Sequence, residues 1–267
     1  MTKIISITSG KGGAGKSQIA ANFATILAQN GYKTALLEIS DLPNLDIILN
    51  AKSKTNLSNF INGECGLDDI FNEISSNLYF IASDGCEFYK FANDDFVSEI
   101  FNKFKDECKL DFIIIDTASN ASKSVLNCIK NADENIIITL PTPSAISNAY
   151  AMIKFGSEFK NDFLLFVNFA RDEKEAVLVA ESLKKVAKQN IKTNLNLNLL
   201  GFMRKSEVLP ICDKERKLVC DEFEYSNANF ELKHAVSRLL TKLNLKSFNV
   251  KKPRGLSGFI KKISNLI

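Results

Sequence analysis

The sequence predicts an α/β fold, a doubly wound and mostly parallel sheet with helices on both faces. Three observations predict it. Strand-like and helix-like stretches alternate almost throughout the 267 residues, 45% of them hydrophobic, and such alternation favours an α/β sandwich over an all-α or all-β chain. The strand-like runs are nearly all apolar, DFIIID (Asp111–Asp116) most clearly, as strands covered on both faces must be. A glycine-rich loop separates the first strand from the first helix, and right-handed crossovers stack the following units on one sheet.

The elements follow in chain order. KIISIT (Lys3–Thr8) is a buried strand leading into the loop Ser9–Gly15. The helix after it runs from Lys16 to about Gln29 and ends at Asn30-Gly31, a stop signal. KTALLEI (Lys33–Ile39) is the next strand, and DLPNLDIIL is a loop entering a short helix. NLYFIA (Asn77–Ala82), DFIIID and NIIITL (Asn135–Leu140) are further strands. Pro141-Thr142-Pro143 opens a helix through about Phe155. DFLLFVN (Asp162–Asn168) precedes a helix over Lys174–Gln189, and NLNLLGF (Asn196–Phe202) is the last strand. Residues 226–243 form the last helix of a body spanning 1–243, followed by a basic linker, 244–254, and a C-terminal segment, 255–267.

Six cysteines occur, none in a C-x-x-C pair, and His234 is the one histidine. That pattern reads as reduced thiols in a cytoplasmic protein and offers no metal cluster. No secretory leader or membrane-spanning run is expected. The net charge of +3 is uneven. Residues 242–267 carry seven basic residues and no acid, which leaves 34 − 7 = 27 basic against 31 acidic residues, about −4, for the rest. A basic tail on an acidic body points to an anionic partner at the tail.

Gly10 to Ser17, GKGGAGKS, matches G-x-x-x-x-G-K-[ST] between a strand and a helix, the context that marks a phosphate-binding loop. Gly10, Lys11, Gly12, Gly13, Ala14 and Gly15 let backbone N–H groups converge on phosphate oxygens, and the helix N-terminus adds its positive end. Lys16 is expected to reach the β- and γ-phosphates of ATP, with the Ser17 hydroxyl on Mg²⁺. Asp116, closing an apolar run, is expected to hold the water shell of that Mg²⁺. Gln18 follows in the same stretch.

The string KGGAGKS resembles the deviant Walker A motif of the MinD/ParA ATPases. The resemblance runs along essentially the whole chain and narrows at NLDIILN, DFIIIDT, ADENIIITLPTPSAISNAYAMIK and DEKEA, which are similar to the FlhG (YlxH, FleN) branch. It implies that Lys11 crosses a homodimer interface to the partner copy's nucleotide in the ATP state. It also implies a peripheral protein of the inner membrane's cytoplasmic face that sets flagellar number or placement, with FlhF or flagellar basal-body proteins as partners. The first strand starts at Lys3, without the short preceding segment of typical relatives, so stimulation of FlhF through that segment is not expected. Asn168 matches the family's adenine-contacting asparagine. Arg204, in the loop that packs on the base, either stacks on it by cation–π contact or is a solvated lip residue.

The chain departs from this family where hydrolysis is organised. The D-x-D stretch after the second strand reads Glu38-Ile39-Ser40, and a serine cannot serve as the carboxylate ligand or base. Asp41 is the candidate to take that role. Asn120 replaces the glycine whose amide senses the γ-phosphate. Retained ATP·Mg²⁺ binding with slow or absent turnover is the expectation, because transition-state stabilisation is lost with one group while binding rests on many.

Near the C-terminus, Leu256, Phe259, Ile260, Ile263 and Ile267 fall on one helical face, with Lys261 and Lys262 off it. A helix this short, at about 1.5 Å per residue, lies in a membrane interface rather than across the bilayer; docking on the body is the alternative. Two copies on a dimer bind with avidity. A non-hydrolysing ATP-binding scaffold, a MinD-like division-site protein and a ParA-like segregation ATPase remain as other readings. The acidic body disfavours nucleic acid, which requires several phosphate-neutralising cations.

Overall fold

The computed structural model describes residues 1–191 and 194–251. The helix expected over 255–267 lies outside the described residues. The strands are β1 (Lys3–Thr8), β2 (Thr34–Ile39), β3 (Asn72–Ser75), β4 (Leu78–Ile81), β5 (Phe112–Thr117), β6 (Glu134–Thr139), β7 (Asp162–Ala170) and β8 (Asn196–Arg204). They form one sheet in the order β3-β4-β2-β5-β1-β6-β7-β8. Every pairing is parallel except β3 with β4, so the doubly wound fold expected from the alternation is the one observed.

The interior strands owe their place to composition. FIIIDT in β5 and ENIIIT in β6 are buried at every position, so only a site between two strands and beneath helices suits them. The strand missing from the sequence reading is β3. Three of its four residues, NEIS, are polar and the strand is half exposed, and it joins β4 through a tight turn with Asn77 at φ 64°. Such a short edge strand, bulged between Glu73 and Ser75, has no apolar period to betray it.

The α-helices are α1 (Lys16–Gln29), α2 (Leu45–Leu49), α3 (Leu57–Ile61), α4 (Cys86–Lys90), α5 (Asp94–Glu107), α6 (Lys123–Asn131), α7 (Pro143–Gly156), α8 (Glu173–Asn190), α9 (Val208–Glu215), α10 (Val219–Glu222) and α11 (Asn227–Lys242). One face of the sheet is covered by α1, α2 and α9 to α11, the other by α3 to α8, each with its own apolar core. Phe23 of α1 packs edge-on against Phe166 of β7 with ring centroids 5.7 Å apart. The N-termini are set by side chains that accept from the third helical amide: Thr142, ahead of Pro143, opens α7, Asp172 opens α8, and Ser226 opens α11.

Residues 244–251, read as linker, run back along the body. Tyr32 Oη donates to the Lys246 carbonyl at 2.8 Å and Ser237 Oγ to that of Phe248 at 2.9 Å. All six cysteines are free thiols, and burial pushes Cys108 up to about 12 and Cys212 up to about 11. His234 is exposed on α11.

Candidate functional site

The C-terminal ends of β1, β2 and β5 meet along one rim of the sheet, and the chemistry gathers there. β1 delivers Ser9–Gly15 directly into α1. Two glycines of this loop answer to tertiary neighbours. A Cβ on Gly10 would lie 2.5 Å from the carbonyl oxygen of Asn148 in α7, a backbone atom that cannot step aside. Gly15 holds φ 78°, and its Cβ would lie 2.5 Å from Asn168 Nδ2; only glycine accepts both the angle and the approach. Gly12 and Gly13 are exposed. Gly15 caps α1 with no side-chain bond. Among the described residues, the amides of Gly12 through Ser17 donate to no other backbone group. Those free donors at a helix start suit an anion.

Lys16 and Asp116 form a direct ion pair from Nζ to Oδ1, 100 residues apart in the chain. Asp116 is fully buried and its Oδ2 has no partner. A buried carboxylate oxygen left unpaired is costly unless something coordinates it. The orphaned oxygen beside Lys16, the half-buried Ser17 and the free amides together fit a Mg²⁺-bound nucleotide phosphate.

Glu38 and Asp116 are register partners across β2 and β5. Glu38 Oε2 accepts from the amides of Asn44 and Leu45 at 2.7 and 2.8 Å, and Oε1 accepts from Ser40 Oγ at 3.0 Å. The first acidic position therefore anchors the start of α2, and the serine at the second position donates to it. Burial, and then the charge of Asp116, push the Glu38 carboxyl above its ordinary value. Asp41, the candidate replacement, is exposed on the following loop and makes no ion pair among the described residues. Asn120 is exposed, and its Oδ1 accepts from Ser122 N at 2.9 Å just before α6.

The other expected residues divide. Lys11 is half-buried on the loop and forms no ion pair among the described residues, while its carbonyl accepts from Ser9 Oγ at 3.1 Å. Ser9 Oγ also lies 3.2 Å from Ser119 Oγ, tying the loops after β1 and β5. Gln18 turns away from the loop to donate to Asp213 of α9 at 2.5 Å, leaving its own Oε1 buried and unpartnered. Asn168 binds the loop itself, Nδ2 donating to the Ala14 carbonyl at 2.8 Å. Arg204 pairs through Nε with Glu231 of α11, whose second oxygen accepts from the Arg204 backbone amide at 2.8 Å. It lines a cavity of about 420 Å³ with Phe230 and His234 at the edge strand. Glu231, Asp213 and Asn148 were not foreseen, since each meets its partner through the fold and carries no local motif.

The profile of the family described as "ParA: NUBPL iron-transfer P-loop NTPase" matches residues 1–240. The flagellum site-determining protein YlxH of Helicobacter pylori is 35% identical over 268 residues, covering 98% of this chain and 90% of that protein. The antiactivator FleN of Pseudomonas aeruginosa is 26% identical, covering 89% and 86%. Among solved structures, a chain of the MinC:MinD cell division complex of Aquifex aeolicus superposes with a TM-score of 0.76 at 21% identity, covering 94% of this chain and 99% of that one. The septum site-determining protein MinD of Pyrococcus horikoshii, solved with Mg-ADP, gives 0.74 at 22% identity, covering 92% and 100%.

Proposed function

The chain belongs to the MinD/ParA family of P-loop NTPases, and from that membership we propose an FlhG-type, ATP-dependent switch that regulates flagellar number or placement. The relative named for determining the flagellum site supports the flagellar reading over the division-site one, since its 35% identity exceeds the 27% of a putative septum site-determining MinD of Guillardia theta that also covers most of the chain. The observation that carries nucleotide use is the orphaned Asp116 oxygen beside Lys16 under a loop of free amides.

In this reading the amides of Gly12 to Ser17 and the Lys16 ammonium hold the phosphates, and Ser17 and Asp116 hold Mg²⁺ with its water shell. Bound Mg²⁺·ATP supplies the phosphoanhydride and the charge around which the site is arranged. Lys11, with no partner ion among the described residues, reaches the nucleotide of a second copy and so makes dimerisation depend on ATP. Residues 255–267 anchor the dimer to an anionic inner-membrane surface, and FlhF or basal-body proteins respond to it.

Turnover is slow. The hydroxyl at position 40 donates to Glu38, Glu38 anchors α2, and Asp41 faces solvent, so no carboxylate in this stretch is poised to orient an attacking water. The same observation favours a second reading, a scaffold that binds ATP without hydrolysing it.

Size-exclusion chromatography with ATP and with ADP tests the switch. The expected result is a dimer with ATP, a monomer with ADP, and a monomer with ATP for Lys11→Ala, which retains ATP binding. A Lys11→Ala protein that dimerises normally sinks the role of Lys11. Single-turnover assays separate the two readings by whether any ADP accumulates.

A further inference from the structure

β8 ends the sheet and is bonded on one side only, to β7. The Lys205 amide donates to the Ala170 carbonyl of β7 at 3.3 Å. The N–H and C=O of one strand residue face the same side, and that side alternates along the strand. Lys205 thus faces β7, and Arg204 and Phe202 present their backbone to the open edge. Side chains of α11 close the edge on either side of Phe202. Glu231 Oε2 accepts from the Arg204 amide at 2.8 Å, and Arg238 Nη1 donates to the Leu200 carbonyl at 3.4 Å. Phe202, midway between them, keeps its N–H and C=O unbonded among the described residues.

That open pair lies in the cavity of about 420 Å³ at the sheet edge, a size within the range of ligand pockets, roughly 300–1,000 Å³. An unpaired strand edge templates pairing with another chain unless something blocks it, and here the blocking stops at Phe202. The two walls of the cavity differ in charge. Toward α8 stand Asp172, whose carboxylate lies 3.6 Å from Arg171 Nε, and Glu173, which makes no ion pair among the described residues. Toward α11 stand Arg238, likewise without an ion pair, and His234, stacked on Phe230 with ring centroids 6.0 Å apart. Arg204 belongs to this second wall through its pair with Glu231.

We propose that this edge is a docking site for an extended segment of a protein partner, which adds to the sheet outside β8 and carries one basic residue between two acidic ones. Phe202 packs into the core beneath α8. The residue that pairs with it sets its side chain on the same face, beside Asp172 and Glu173. The two neighbours of that residue face α11, one toward Arg238 at Leu200 and the other toward Arg204. Main-chain bonds to Phe202 supply affinity, and the alternating charges select the sequence. β6 and β7 separate this edge from β1 and its loop, and the inference stands without the nucleotide reading above.

Titration of the full chain with acetyl-Val-Glu-Lys-Glu-Val-amide, followed by ¹H–¹⁵N NMR, tests this. The Phe202 amide resonance is expected to move and saturate. The isomer acetyl-Glu-Val-Lys-Val-Glu-amide has the same composition but sets all its charges on one face, and it is expected to bind about tenfold more weakly. Methylating the central lysine nitrogen of the first peptide removes the donor that meets the Phe202 carbonyl, and is expected to cost about tenfold. Arg238→Glu and Glu173→Lys are each expected to weaken the first peptide severalfold. A Phe202 resonance that stays still at millimolar peptide overturns the proposal, as do equal affinities for the two isomers, indifference to methylation, or unchanged affinity in both variants. If neither variant folds, the three titrations of the wild-type chain decide the matter. Without peptide, a Phe202 resonance that moves with protein concentration assigns the edge to a second copy. One that moves when residues 252–267 are deleted assigns it to this chain's own C-terminal segment. Either result overturns the proposal.

Discussion

At Glu38 three donors converge on a carboxylate that is 4% exposed. Burial is the largest influence on it and raises its pKa from the ordinary 4.5. The charge of Asp116 raises it further, and the Leu45 and Asn44 amides and the Ser40 hydroxyl pull it back. A carboxyl raised in the folded state contributes stability that is complete below 4.5 and is lost as pH rises through the folded value. Glu38→Gln keeps an acceptor for the two amides and carries no charge. Its melting temperature relative to the parent is therefore expected to climb between about pH 4 and pH 8. Scanning calorimetry at several pH values checks this, and a flat or falling difference contradicts it. At this scale the placement of Lys16, Ser17 and Asp116 together at one rim of the sheet was legible, because each sits in a motif or at the end of an apolar run. The partners of Gln18, Asn168 and Arg204 were not, because they lie 195, 154 and 27 residues away.

The contact between β8 and α11 shows how closely the elements are fitted. A Cβ on Gly201 would lie 2.8 Å from the Cβ of Ala235, inside van der Waals contact. Gly201→Ala forces the helix off the sheet and strains the neighbouring Arg204–Glu231 pair, at a cost of about 1–3 kcal/mol. Gly12→Ala meets nothing within 4 Å and is expected to leave stability within about 0.5 kcal/mol. Urea unfolding of the two variants checks the contrast, and equal midpoints refute the packing argument. The long periodic elements were read from sequence to within a residue or two: the helix expected over 174–189 is Glu173–Asn190, and that over 226–243 is Asn227–Lys242. The strand β3 escaped because a four-residue, largely polar stretch at an edge is held by pairing with β4, and pairing is not written in its own composition.

For the molecule as a whole, the division between an acidic body and a basic tail governs the expected behaviour on membranes. Among the described residues no helix is long and apolar enough to cross a bilayer. Each basic residue close to an anionic surface adds roughly 1 kcal/mol, and pairing two tails multiplies the effect. Co-sedimentation with anionic vesicles is therefore expected to require ATP, to weaken with salt, and to disappear when residues 252–267 are deleted. Undiminished sedimentation of the truncated chain removes the membrane part of the proposal.

The loop GKGGAGKS, the apolar strands and the alternation with helices each lie within a few residues of chain, so the fold class and the candidate phosphate site could be inferred from local pattern alone. Which side chains hold that loop in shape depended on how eight strands align. The register of β2 on β5 sets Glu38 beside Asp116, and the β7 bulge accompanies the turn of Asn168 toward Ala14. Such contacts join residues that are distant in the chain, and their geometry follows from sheet register and close packing, which no short window of sequence contains.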